Sequence, residues 1–126
     1  MAFSGQQRSF TLQAAADLSG FQYCAVRLSA AGKTNLASLN TDSSVVGVLQ
    51  NKPQNNENAT ISYGGLSKVV AGGTLTAGDI ITVYGSGRAI IVTSALIAIG
   101  RCLETAAAGN IFSALLFPPV RWTGAA

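Results

Sequence analysis

From residue 21 onward, apolar residues almost never return at a helical period. Short β-prone runs recur instead, each closed by a turn or small-residue loop. FQYCAVRLS alternates, with Tyr23, Ala25, Arg27 and Ser29 on one face and Cys24, Val26 and Leu28 on the other. Ala30-Ala31-Gly32-Lys33 reads as a turn and TNLASL as the returning strand. SSVVGVLQ, ATISYGG, LSKVVAGG, IITVYG, RAIIVT and IFSALLF follow as further strands. SALIAIGRCLE is long enough for a helix, but its Ile and Gly content favours a strand. Residues 51–58 (NKPQNNEN) and 105–110 (TAAAGN) are loops, and Pro118-Pro119 is expected to stop the sheet because proline cannot donate to a ladder. The expected fold is all-β: a small β-barrel or sandwich of short strands.

The strands carry a weak internal repeat. Gly32-Lys33 matches Gly87-Arg88, which aligns Leu28 with Val83 and Leu36 with Ile91. VVGVLQ resembles AIGRCL, with Gly47 against Gly100, and ATIS resembles NIFS, with Ile61 against Phe112. The recurring order is a hairpin with a Gly-basic turn, a short strand with Gly, a loop and a strand. The expected organisation is one β domain, residues 21–119, made of two pseudo-equivalent units. Residues 1–20 show no clear strand alternation and read as an extended N-terminal arm whose removal through residue 16 would leave the domain folded. Residues 120–126 read as a tail.

Composition bounds the chemistry. The chain has 126 residues, of which 48% are hydrophobic and 10% charged, so it can bury a core and is too apolar to stay disordered. It has no histidine, which removes the commonest general base and metal ligand. The five acidic residues, Asp17, Asp42, Glu57, Asp79 and Glu104, are scattered. The eight basic residues give a net charge of +3 but form no run, so no electrostatic stripe for nucleic acid is visible. Cys24 and Cys102 lack the spacing and partners of a zinc site and are expected to be buried free thiols. MAFSGQQRSF is not a signal peptide in pattern, and the apolar run at residues 89–100 is too short to cross a bilayer as a helix, which takes about 20 residues. No cofactor, nucleic acid or membrane partner is expected.

The motifs suggestive of catalysis fail on spacing. Gly32-Lys33-Thr34 resembles the end of a phosphate-binding loop, but Arg27 stands where that motif needs glycine. Ala77-Gly78-Asp79 is better read as a turn, with Gly78 at positive φ and Asp79 capping it. Ser67 and Lys68 could serve a Ser-Lys hydrolase only if they converged, and neighbours on a strand face opposite sides. Tyr23, Tyr63 and Tyr84 are the candidates for a small-ligand or glycan-binding barrel, but they lie at roughly matching strand positions, which favours cross-strand packing.

DLSGFQYCAVRLSAAGK, VVGVLQNKP, GLSKVVAGG, TAGD and IGRCLETAAAGNIFSALL, in this order and spacing, resemble the capsid cement or head decoration proteins of tailed bacteriophages, a group long catalogued as a domain of unknown function. The similarity runs over residues 17–117. It implies a non-enzymatic structural protein of the virion, made in the host cytoplasm. Such a protein sits on the outer capsid surface, often as a homotrimer, and clamps neighbouring major capsid protein subunits. The family supplies no catalytic residues. Candidate capsid or subunit contacts are Phe3, Arg8 and Phe10 on the arm, and Arg121 and Trp122 at the other end, since aromatic and Arg side chains dominate interface anchors.

Overall fold

The computed structural model describes residues 7–37, 44–84, 86–92 and 97–121. These are all-β and contain no helix. The strands are β1 (Gln7–Ala14), β2 (Ala25–Ala30), β3 (Lys33–Leu36), β4 (Val45–Leu49), β5 (Asn58–Val70), β6 (Ile80–Tyr84), β7 (Arg88–Ile91), β8 (Ile97–Cys102) and β9 (Ile111–Arg121). They form one sheet in the order β1-β3-β2-β4-β5-β9-β8-β6-β7, and β1 also pairs with β5. That extra pairing closes β1, β3, β2, β4 and residues 58–65 of β5 into a barrel.

Two repeated units account for this order. Strands β3-β2-β4-β5 on one side of the sheet are matched by β7-β6-β8-β9 on the other. The backbone bonds match as well. Tyr23 N donates to Leu49 O and Gly78 N to Cys102 O, both at 2.7 Å. Leu49 N donates to Cys24 O at 2.9 Å and Cys102 N to Asp79 O at 2.8 Å. Ala14 N donates to Glu57 O and Ala71 N to Asn110 O, both at 2.8 Å. Tyr23 (φ 69°) and Asn56 (φ 70°) hold the left-handed conformation that Gly78 (φ 98°) and Gly109 (φ 87°) hold in the second unit. The turn geometry is therefore repeated where the residue type is not.

This match corrects three sequence expectations. First, residues 7–14 are not an arm beside the domain. They form β1, the first strand of the first unit, and correspond to the second half of β5, where Ala71 pairs in parallel with Ala89 as Ala14 does with Thr34. Phe10, Leu12 and Ala14 alternate with polar residues and pack into the first barrel. This is a period-2 pattern that is short and lacks the flanking glycines of the other strands. Second, Ile61 corresponds to Ala114, not Phe112. Leu49 pairs with Ile61 as Cys102 pairs with Ala114, so Phe112 matches Ala59. Third, ATISYGG and LSKVV are one 13-residue strand that serves both units. It bends at a bulge where Tyr63 is the extra residue between Ser9↔Ser62 and Arg8↔Gly64.

Two strand ends also differ from expectation. Strand β2 begins at Ala25, because residues 21–24 are spent in the turn that holds Tyr23 at positive φ. Strand β9 runs through Pro118-Pro119 to Arg121. Gly100 pairs with Leu116 and Ala98 with Val120, so residues 117–119 bulge opposite Ile99 alone, where no ladder donor is required.

The first barrel is filled by Ala14, Leu18, Val26, Leu49, Ala59 and Ile61. A larger core combines the interior of the second unit, including Phe112, Leu75 and Ile81, with Ala25, Ala37, Val45 and Val48 from the outer side of the first. Ala25 and Val26 are therefore both fully buried: one faces the barrel interior and the other faces the second unit. Gly47 and Gly100 occupy matching points of closest approach. A Cβ on Gly47 would lie 2.3 Å from Ser62 O, and one on Gly100 would lie 2.6 Å from Leu115 O.

Truncation through Ala14 removes the closing strand of the first barrel and is expected to abolish cooperative folding, read by circular dichroism on melting. Gly47→Ala and Gly100→Ala are each expected to cost about 1–3 kcal/mol in denaturant titration, through backbone overpacking. Phe112→Ala is expected to cost about 3–5 kcal/mol. Because β5 belongs to both units, melting should remain a single transition with calorimetric and van't Hoff enthalpies equal.

Candidate interaction surface

The units meet where β1 begins, β5 bends and β9 bulges. Gln7, Arg8, Gly64, Gly65, Leu116, Phe117 and Pro118 line an open cleft there of about 600 Å³. Arg8 is exposed, and its aliphatic stem runs beside Gly64: a Cβ there would sit 3.5 Å from Arg8 Cβ, in ordinary van der Waals contact. The Arg8 guanidinium is thus carried on a stem supported by backbone, a geometry suited to an acidic or carbonyl-rich partner.

A polar network beneath the cleft ties the units together. Gln50 Nε2 donates to Ser67 Oγ at 3.0 Å and to Val48 O at 3.1 Å. Gln7 Nε2 donates to Leu66 O at 2.9 Å and to Gln50 Oε1 at 3.2 Å. Neither glutamine was singled out from the sequence. A lone glutamine carries no signal there, because its partners lie in strands far along the chain.

The candidate residues separate. Arg8 lines the cleft. Phe10 is half-buried, packs against the first-barrel core and lies 5.7 Å from the Tyr63 ring. Arg121 ends β9 opposite Ile97, so its backbone belongs to the sheet and not to a tail. Phe3 and Trp122 lie outside the described residues.

The rival sites do not assemble. Ser67 is buried, its hydroxyl donates to Lys68 O at 3.0 Å, and the Lys68 ammonium lies 5.7 Å from the centre of the Tyr23 ring. Ser67 and Lys68 thus point to opposite faces. Tyr23 sits in a turn, Tyr63 at the β5 bulge, where its ring packs across the strand pair against Phe10 of β1, and Tyr84 at the exposed end of β6, so the three do not line one pocket. Gly32 closes the β2–β3 hairpin at φ 71°, with strand on both sides. Asp79 caps its turn as expected: Oδ2 accepts from Thr76 N at 2.8 Å. Among the described residues, no three His, Cys, Asp or Glu side chains cluster as a metal site.

Both cysteines are free and buried. Burial pushes the Cys24 thiol pKa up, with Arg88 opposing. Burial also raises that of Cys102, whose Sγ donates to Glu104 O at 2.7 Å. The Cys102 position is a packing site, since it belongs to the larger core and stands where the first unit has Leu49.

No protein-family model matches the chain, and no curated protein matches it. Among solved structures it is similar to the head fiber gp8.5 N base of bacteriophage phi29. The TM-score is 0.67 and the identity 17%, over 91% of this chain and 98% of that one. The two chains share a fold across nearly their whole lengths.

Because a raised thiol pKa keeps the reactive thiolate scarce, native protein at pH 8 is expected to react with a thiol reagent far more slowly than unfolded protein. Its rate should go on climbing above the ordinary thiol range, where that of the unfolded protein levels off. Two thiols should react promptly once denaturant is added.

Proposed function

We propose that this protein is a structural component of a phage head, a decoration or cement protein that binds the outer capsid surface as a homotrimer and braces neighbouring major capsid protein subunits. The observation that carries the reading is the shared fold with a phage head fiber base over 91% of this chain. The sequence resemblance to head decoration proteins points the same way. So do the described residues, which are packed strands and turns in which Ser67 and Lys68 face apart and the three tyrosines are dispersed.

Cementing works by mass action. A copy that binds the assembled shell, and not its separated subunits, stabilises the shell by its own binding free energy, multiplied over many copies. The Arg8 cleft supplies a grip for such a partner: a cation on a rigid strand beside a concave backbone surface. Phe3 and Trp122 would be further anchors on the capsid.

The test is co-sedimentation with mature capsids stripped of decoration. Saturation at a simple ratio to the major capsid protein is expected, with bound shells resisting heat or osmotic shock better than bare ones. Arg8→Glu is expected to weaken binding at least tenfold while leaving the melting temperature within a degree or two, since the side chain is exposed. Absence of saturable binding to mature and immature shells would remove the capsid reading.

A further inference from the structure

The contact between the two units is not self-matched. The β6–β7 turn of the second unit sits on the first: Gly87 O accepts from Ala25 N at 2.7 Å, and a Cβ on Gly87 would lie 2.7 Å from Leu36 Cδ1. Val83, fully buried, joins the same core as Ala25 and Val48. The first unit thus offers a socket around Ala25, Leu36 and Val48, flanked by Ser62, which pairs with Val48, and by Gln50 just past β4, and the second inserts a plug around Val83 and Gly87. Contacts of this kind leave one unused socket and one unused plug at opposite ends of the pair.

Both unused surfaces are present and exposed. On the second unit, the counterparts of Leu36, Gln50 and Ser62 are Ile91, Leu103 and Leu115, and that of Val48 is Arg101, an exposed residue whose guanidinium donates to Gly78 O. Leu36, Gln50 and Ser62 are buried or half-buried, while Ile91, Leu103 and Leu115 are 41%, 41% and 48% exposed. On the first unit, Leu28 is the counterpart of Val83 and is 44% exposed. Gly32, the counterpart of Gly87, has nothing within 4 Å of the position its Cβ would take. Four of the large exposed apolar side chains are thus accounted for as the two halves of an interface that the chain already forms once within itself.

We propose that copies of this protein associate head to tail, the Leu28–Gly32 plug of one entering the Ile91, Leu103 and Leu115 socket of the next. The occupant is a second copy because the complementary surface is found on this chain, in the register that the internal contact displays. The inference specifies how the self-association in the functional reading is made, and it stands or falls separately from capsid binding. Such a contact closes into a ring when its rotation divides a full turn, and a homotrimer is one such ring.

The experiment is sedimentation velocity with native mass spectrometry on the full chain over a wide concentration range. Oligomers are expected for the wild type. Leu28→Asp and Leu115→Asp each retain one good surface, and each alone should be monomeric with an unchanged circular dichroism spectrum. Mixed in equal amounts, they should form a 1:1 dimer and go no further, because the intact plug of one meets the intact socket of the other. Leu28→Asn and Leu103→Asp repeat the test should either aspartate variant fail to fold. A wild type that stays monomeric throughout would overturn the proposal. So would oligomers that persist in both variants, or a mixture that stays monomeric. Oligomers that follow these expectations but fail to bind capsids would leave this inference intact and remove the capsid reading.

Discussion

Strand β5 is the element on which the rest of the structure depends. Its first half closes a barrel with β1 and β4, and its second half pairs with β9 from Gly65 to Val70. One continuous backbone therefore supplies ladder hydrogen bonds to both units, and neither can lose its strand without disturbing the other. Between the halves the chain must bend sharply. The Tyr63 bulge and the paired glycines Gly64 and Gly65 provide the bend, and the same bend makes the cleft in which Arg8 lies.

The duplication is preserved in backbone geometry more than in side chains. Equivalent turns hold equivalent hydrogen bonds although Tyr23 faces Gly78 and Asn56 faces Gly109 across the repeat. The residues that differ are those whose surroundings differ. Gln50 meets Ser67 at the junction of the units, whereas Leu103 is exposed. Val48 is buried against the second unit, and its counterpart Arg101 is exposed, its guanidinium donating to Gly78 O. The two copies thus record different neighbours on the same frame, and the exposed apolar set on the second unit is where that frame has been left open.

Much of the fold was legible in the sequence because its signals are local. The Ala31-Gly32 hairpin, the Asp79 cap, the strand at residues 97–102 and the loop before β9 depend on residues close together in the chain. The repeat was visible through its glycines but misaligned at its last strand, because Gly47 and Gly100 mark a backbone approach while Ile61 and Ala114 share only a position in the barrel. The role of residues 7–14 was missed for the same reason. The alternation of Phe10, Leu12 and Ala14 is too short to declare a strand until its partner at residues 58–65 is known. Of the candidate site, Arg8 was anticipated as a surface residue. The half-burial of Phe10 against Tyr63 was not, since that contact spans the barrel seam.

The sequence by itself determined that this chain is β-rich, turns at its glycines and lacks the histidines and acid clusters of common hydrolytic or metal chemistry. Each of these follows from residue identity or from spacing within a few positions. Only the tertiary structure decided that the apparent arm is a barrel strand, that two expected strands are one, and that prolines can lie inside a strand at a bulge. It also decided which leucines are left without cover. Those outcomes depend on pairing between residues tens of positions apart, where the free energy comes from closing a ladder and burying a shared face, and no local pattern encodes the partner.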